Sequence, residues 1–298
     1  MARCLVTGHK GYIGSKLFVE LEKAGHEVMG VDLNDKISKD ILKLLIEGSD
    51  GSFHPYYWNF KPEYIFHLAC WPRVGYSIEN PVTTMRNNVL AGSLMLNFAR
   101  KVGAKRFVYS SSSSIVGNGD GPTSPYALQK MVTEVESKLY SELYGLDTVS
   151  LRYFNVYSED QPADGPYATA VCNWMQYLRD GKKPFITGDG KQRRDMLHVD
   201  DAVSANIFAM NHKKKFKGQN FDVGTGKNVS LNEIKEVVEA LFPKVKFEYK
   251  QSRPNEVATT RADTTGLGQL GWKTDVSIKN GVFRCFKNLR NEIKQQAT

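Results

Sequence analysis

Thr7-Gly8-His9-Lys10-Gly11-Tyr12-Ile13-Gly14 decides the fold. It follows a short apolar run, Cys4-Leu5-Val6-Thr7, with strand character. It precedes a helix-period segment from about Tyr12 to Ala24, which Gly25 stops. A strand, a glycine turn and a helix in that order make a cradle for a pyrophosphate. The glycines permit a tight turn and close backbone approach, and the helix start presents unpaired N–H groups and a positive dipole end. Asp32 closes the next apolar run, Glu27-Val28-Met29-Gly30-Val31, 18 residues after Gly14. A carboxylate there accepts hydrogen bonds from ribose hydroxyls and repels a 2′-phosphate, which favours NAD over NADP. Lys10 is the one residue of the turn that pulls the other way. No Gly-Lys-Ser/Thr follows the turn, so a P-loop is excluded.

Outward from this unit the pattern repeats. Tyr64–Leu68, Arg106–Tyr109 and Thr148–Tyr153 read as strands, with helical patterns near 84–101 and 126–144 between them. Near-continuous apolar strands alternating with helices imply a doubly wound parallel sheet of the α/β class. Beyond Phe154 the alternation loosens. Helices are expected near 167–179, 199–211 and 230–241, and strands near 184–187 and 245–249, as a smaller α+β region. The expected division is a dinucleotide-binding domain over 1–157, rejoined by about 195–225, and a substrate-binding domain over 158–298.

The 298 residues, 41% apolar and 24% charged, have ordinary globular composition. No apolar run reaches membrane-spanning length, and the N-terminal stretch lacks the apolar core of a signal peptide. Cys4, Cys70, Cys172 and Cys285 are scattered, with no spacing that suggests a metal site or a disulfide framework. A cytoplasmic protein without metal is the expectation, and the Asn228-Val229-Ser230 sequon is then accidental. The formal charge of +8 raises nucleic acid or an acidic membrane surface as partners. Its densest run, Lys213-Lys214-Lys215-Phe216-Lys217, reads as a solvated loop, so neither partner is expected.

Tyr126-Ala127-Leu128-Gln129-Lys130 opens the segment near 126–144, and positions four apart share a helix face. A tyrosine acting as a base near neutrality needs a shift of about three units from its usual 10, or roughly 4 kcal/mol. One ammonium about 4 Å away supplies roughly that much at an effective dielectric of 20. The serine run Ser110–Ser114 ends the preceding strand, where a hydroxyl can share the proton.

Gly8-x-x-Gly11-x-x-Gly14, Asp32, His67-Leu68-Ala69, the serine run and Tyr126-x-x-x-Lys130 together resemble the extended short-chain dehydrogenase/reductase family. Within it the chain is most similar to the NAD-dependent nucleotide-sugar epimerases and dehydratases, above all the UDP-sugar 4-epimerases. The resemblance continues through Leu151–Tyr157, Gln161–Ala168, Gly188–Asp195 with Val199-Asp200-Asp201, Asp222–Gly226, Arg253–Glu256 and Ala262–Thr264. It implies a Rossmann-type fold and a catalytic Ser112, with Tyr126 as base and Lys130 as its partner. It implies NAD contacts from Gly8, Gly11, Tyr12, Ile13, Gly14, Asp32, Leu68, Ala69, Asn88, Ser110, Tyr126, Lys130 and Tyr153. It implies a UDP-sugar held by Ser112, Tyr126, Asn155, Arg194 and Arg253, and a homodimer formed through the helices near 84–101 and 126–144.

The subfamily follows from an absence. Dehydratases and decarboxylases of the family place an acid just beyond the catalytic serine, whereas Ser113, Ser114, Ile115 and Val116 stand here. That favours 4-epimerisation through a 4-keto intermediate. The rivals are a nucleotide-sugar 4-reductase or dehydratase, and a non-catalytic NAD- or nucleic-acid-binding protein on the same scaffold. The chain departs from the family in a short 33–66 region, where the acid expected on the adenine side has no clear counterpart and Asp40 is the candidate. There Phe53, Tyr56, Tyr57, Trp58 and Phe60 are expected to pack over a clipped edge. Asn118–Thr123 is abbreviated too, Val116 replaces a tyrosine and Ser158 a glycine.

Overall fold

The computed structural model describes residues 1–33, 46–47, 52–72, 74–117, 119–163, 169–252 and 257–296. The chain divides into two compact units, Met1–Arg152 with Val203–Phe221, and Tyr153–Ala202 with Asp222–Thr298.

The first unit is built on a six-stranded sheet of β1 (Arg3–Thr7), β2 (Glu27–Val31), β3 (Tyr64–His67), β4 (Arg106–Ser112), β5 (Thr148–Tyr153) and β6 (Gln219–Val223). Its order is β6-β5-β4-β3-β1-β2. β1 has β2 on one side and β3 on the other, so the order reverses at β1, the kind of point where open α/β sheets bind ligands. Parallel register does the rest. Thr7 pairs with Val31 and with His67, and His67 pairs with Tyr109. Gly8, Asp32, Leu68 and Ser110, each one residue further on, therefore emerge along one edge of the sheet.

Leu5, Val6, Ile65, Phe66, Phe107 and Val108 are fully buried, as strands covered on both faces require. α1 (Tyr12–Lys23) buries Gly14, Leu17 and Leu21, one stripe at helical spacing. The helix expected near 84–101 begins earlier, at Pro81–Met85. It passes through a π-helical turn at Arg86–Leu90 and continues as α2 (Ala91–Val102). α3 (Pro125–Tyr144) starts where Ser124 accepts the Ala127 N–H at 3.2 Å and stops at Gly145, which takes a left-handed φ of 70°. Among the described residues no strand pairs with the outer side of β2. Asp40 lies outside the described residues. Of the nearby aromatics, Phe53 meets Phe98 at 5.0 Å and Trp58 at 6.1 Å and Tyr57 is buried, whereas Tyr56 and Trp58 are exposed.

In the second unit Val156–Tyr157 pairs in parallel with Leu197–His198. That pairing draws the chain from Tyr153 onward into this unit and places the boundary at Arg152, five residues before the position expected from sequence. α4 (Ala170–Arg179) starts at the cap Thr169, and residues 164–168 lie outside the description. α5 (Val199–Asn211) runs where expected and belongs to the first unit from Val203 onward. α6 (Leu231–Leu241) carries a capping box between Ser230 and Glu233, and α7 (Ile278–Gln296) closes the chain. The expected strand at 245–249 sits later, at Glu248–Lys250, paired with Phe185–Thr187. Trp174 and Met175 of α4, Ile234 and Val238 of α6, and Val282 and Phe286 of α7 share one apolar core.

Candidate active site

The glycine turn is as tight as its backbone permits. Gly8 has a φ of +74°, and a Cβ there would lie 2.8 Å from the Ala69 nitrogen. At Gly14 a Cβ would lie 2.1 Å from the Gly8 carbonyl oxygen. Gly8 donates to the Val31 carbonyl at 2.7 Å and Gly11 to the Gly8 carbonyl at 2.9 Å. No side chain caps α1 at Gly11. The N–H groups around Tyr12 and Ile13 thus point from a helix start suited to phosphate oxygens. The Asp32 carboxylate folds back over the turn and accepts the Lys10 backbone N–H at 3.0 Å. Beside it Thr7 Oγ1 lies 2.8 Å from His67 Nδ1 and accepts the Ala69 N–H at 3.2 Å, holding Leu68-Ala69 against Gly8. A tight cradle, an uncapped helix start and a carboxylate at the end of β2 are the shape and charge that a dinucleotide needs. Burial, helped by the Lys130 charge, pushes the His67 imidazole down to about 3, so the ring is neutral.

β4 and α3 bring the second group together. Lys130, buried on α3, donates from Nζ to the Ser110 carbonyl at 2.6 Å. Its ammonium stands 5.0 Å from the Tyr109 ring centroid and 5.9 Å from that of Tyr126. Ser112 stands near enough to the Tyr126 phenol for its hydroxyl to lower the phenol's pKa. Ser112 Oγ also accepts the Ser114 N–H at 3.2 Å, and the Ser114 hydroxyl lies 2.9 Å away. Burial pushes the Tyr126 phenol up to about 12, Lys130 pulls it down, Cys70 pushes it up and the Ser112 hydroxyl lowers it. The sequence argument gave Lys130 enough strength to bring the phenol near neutrality. In the structure desolvation is the largest influence on the phenol and the Lys130 ammonium the second, acting the other way.

Asn88, named in the sequence, and residues that sequence reasoning passed over fix this geometry. Ser77 Oγ accepts the Tyr126 backbone N–H at 3.0 Å. Asn88, in the π-helical turn, takes the Trp71 N–H on Oδ1 at 2.6 Å and donates from Nδ2 to the Trp71 carbonyl at 3.1 Å and to Gln129 Oε1 at 2.7 Å. Gln129 in turn donates to Thr84 Oγ1 at 2.9 Å. Asn88 thus ties the loop after β3 to the residue beside Lys130. No local pattern marks Ser77, while Gln129 and Thr7 lie inside the motifs without being singled out.

The second unit holds the remaining candidates. Asn155 and Arg194 line a cavity of about 190 Å³ together with Asn173, Trp174, Gln192 and Leu231. Asn155 has an unusual φ of +34°, and its Nδ2 donates to the Asp195 carbonyl at 2.7 Å and to Thr260 Oγ1 at 3.2 Å. The fully buried Asp195 carboxylate accepts the N–H groups of Thr225, Gly226 and Ala262 at 2.9, 2.9 and 3.1 Å. In the sequence Asp195 stands out only as the last residue of the Gly188–Asp195 motif. It is the post on which three segments hang. Tyr153 is buried in this unit, and Arg253 lies outside the described residues.

Residues 4–224 match the NAD dependent epimerase/dehydratase family. The chain belongs to that family. Among its epimerase relatives, the UDP-glucose 4-epimerase of Mycolicibacterium smegmatis is 31% identical over 313 residues, covering 97% of this chain and 99% of the relative. The UDP-glucuronate 4-epimerase of Thermodesulfobacterium geofontis is also 31% identical, covering 95% of each. The crystal structure of the UDP-glucose 4-epimerase of Thermotoga maritima with UDP-glucose superposes with a TM-score of 0.85 at 28% identity, covering 98% of this chain and 99% of that one. The cofactor of this epimerase/dehydratase chain is NAD, in accord with the acid at position 32.

The neutral His67 makes folding pH-dependent in a defined sense. Its folded value lies below the usual 6.5, so its contribution to stability is present above that pH and is lost as pH falls toward 3. Urea unfolding of wild type and His67→Gln at pH 7 and pH 4 should show a smaller acid-induced loss of stability in the variant; equal losses contradict a neutral buried imidazole.

Proposed function

We propose that this chain interconverts the C4 epimers of a UDP-hexose, with Tyr126 as the group that takes and returns the C4 hydroxyl proton. One observation carries the reading: a buried tyrosine and lysine and the partly exposed Ser112 lie where β4 ends and α3 begins, and no carboxylate follows Ser112 in Ser113-Ser114-Ile115-Val116. NAD, when bound, supplies the hydride acceptor and donor at the sugar carbon. The chain's own residues do the remainder. Ser112 shares the proton with the phenol, and Lys130 biases the phenol toward ionisation while staying anchored to the Ser110 carbonyl. Gly8, Gly11, Tyr12, Ile13 and Gly14 receive the pyrophosphate, Asp32 the adenosine ribose, and Leu68, Ala69, Asn88 and Tyr153 border the cofactor. Asn155, Arg194 and Arg253 grip the UDP diphosphate, a task for which the arginine fork is suited. Four free thiols support a reducing cytoplasm as the setting.

A homodimer is part of the proposal. Val135, Leu139 and Leu143 recur every fourth residue along α3 and are exposed, as are Val82, Met85 and Leu90 ahead of α2. Two such faces from two copies bury each other's apolar surface, the isologous arrangement of most dimers.

Incubating the protein with UDP-glucose, UDP-N-acetylglucosamine and UDP-glucuronic acid and following the products by NMR tests the activity. One C4 epimer pair should reach equilibrium without net consumption of reduced cofactor, and Tyr126→Phe should slow it at least about 100-fold. A dehydrated, decarboxylated or net-reduced product rejects the epimerase. Leu143→Glu should shift sedimentation from dimer to monomer; an unchanged dimer places the interface elsewhere.

A further inference from the structure

The lysines of the run Lys213–Lys217 are solvated, as its composition suggests, but its backbone is held. It lies between α5 and β6, and two buried charges hold it from beneath. Arg106, the first residue of β4, donates to the carbonyls of Ala209, Met210 and His212 through Nη1, and to that of Lys214 at 3.0 Å through Nη2. Its Nε pairs with Asp147 Oδ2 at 2.6 Å, while Asp147 Oδ1 accepts the N–H groups of Phe216 at 2.7 Å and Lys217 at 3.1 Å. Phe216 points inward under the Arg106 guanidinium, 4.7 Å from it, and is 1% exposed. Gly218 is pinned by a hydrogen bond to the Thr148 carbonyl at 2.9 Å and rests on α3, where a Cβ would come within 2.7 Å of the Lys138 Cα.

The consequence is a fixed backbone that projects Lys213, Lys214, Lys215 and Lys217 into solvent, with Lys138 beside them. Among the described residues none of the four loop lysines has a carboxylate partner, and Lys138 meets Glu142 only at 3.8 Å. The four supply charge equal to half of the chain's formal +8. They also sit at the opposite end of the sheet from the candidate catalytic residues. Arg106 and Thr148 begin β4 and β5, whereas Ser112 ends β4, a strand of seven residues or roughly 20 Å.

We propose that this anchored lysine loop docks the enzyme on an anionic lipid surface. The chemistry favours a bilayer over nucleic acid. All the exposed charges are lysine ammoniums, point charges that respond to a diffuse surface potential. The arginine fork that pairs with individual phosphates is buried as the loop's support. The one aromatic ring of the run is buried, so no base can stack on it. With no exposed apolar side chain in the run to insert, attachment is electrostatic and reversible. The candidate site at the other end of the sheet stays open while docked.

The test uses the full chain and vesicles of 70:30 phosphatidylcholine:phosphatidylserine, with pure phosphatidylcholine vesicles as control, in a co-sedimentation assay. Binding to the anionic vesicles is expected at 50 mM salt and should fall steeply by 300 mM. Each lysine near the surface contributes about fivefold. The variant Lys213→Gln/Lys214→Gln/Lys215→Gln/Lys217→Gln should therefore lose at least tenfold in binding, while circular dichroism and turnover of the UDP-sugar substrate stay at wild-type levels. No binding by wild type, equal binding by the variant, or tighter binding to a 30-base-pair DNA duplex than to the anionic vesicles would overturn the proposal.

Discussion

A phenol and an ammonium buried side by side set the terms for the first unit. Lys130 cannot leave water without a partner. The Ser110 carbonyl at the end of β4 provides one at 2.6 Å. That bond fixes α3 against β4 and so fixes where Tyr126, one turn earlier on the same face, meets Ser112. The phenol pays for its dry surroundings with a raised pKa, pushed up to about 12 by burial. The parallel register places the dinucleotide cradle on the same sheet edge.

Elsewhere the fold uses buried charge as a fastener. Asp195 gathers the N–H groups of Thr225, Gly226 and Ala262, and its own carbonyl holds Asn155. The Arg106–Asp147 pair binds a stretch of chain a hundred residues away in sequence. In each case the cost of removing a charge from water is met by several hydrogen bonds to backbone, which also removes freedom from a loop. Asn88 does the same with a neutral amide, clamping Trp71 from both sides.

What the sequence revealed was local. The turn between β1 and α1, the acid at the end of β2 and the four-residue step from Tyr126 to Lys130 depend on spacing alone, and spacing can be read from a single chain. The 34 residues between Asp32 and His67 read as short, and among the described residues no strand lies beyond β2. What escaped was non-local. Asn88 meets Trp71 and Gln129 across 17 and 41 residues, and Ser77 meets Tyr126 across 49. The balance between burial and the Lys130 charge at Tyr126 needs a solvent boundary, which no spacing encodes. The lysine run was read from composition as solvated. Only the contacts of Arg106 and Asp147 show that it is held.

The central claim is that Tyr126 ionises near neutrality only when the cofactor's positive charge adds to that of Lys130. Difference absorbance of the phenolate, wild type minus Tyr126→Phe, titrated from pH 6 to 10 with and without NAD+, measures this directly. The account predicts a phenolate signal within that window only in the presence of NAD+, and its loss in Lys130→Met. A phenolate that appears without NAD+, or one that fails to appear with it, contradicts the account.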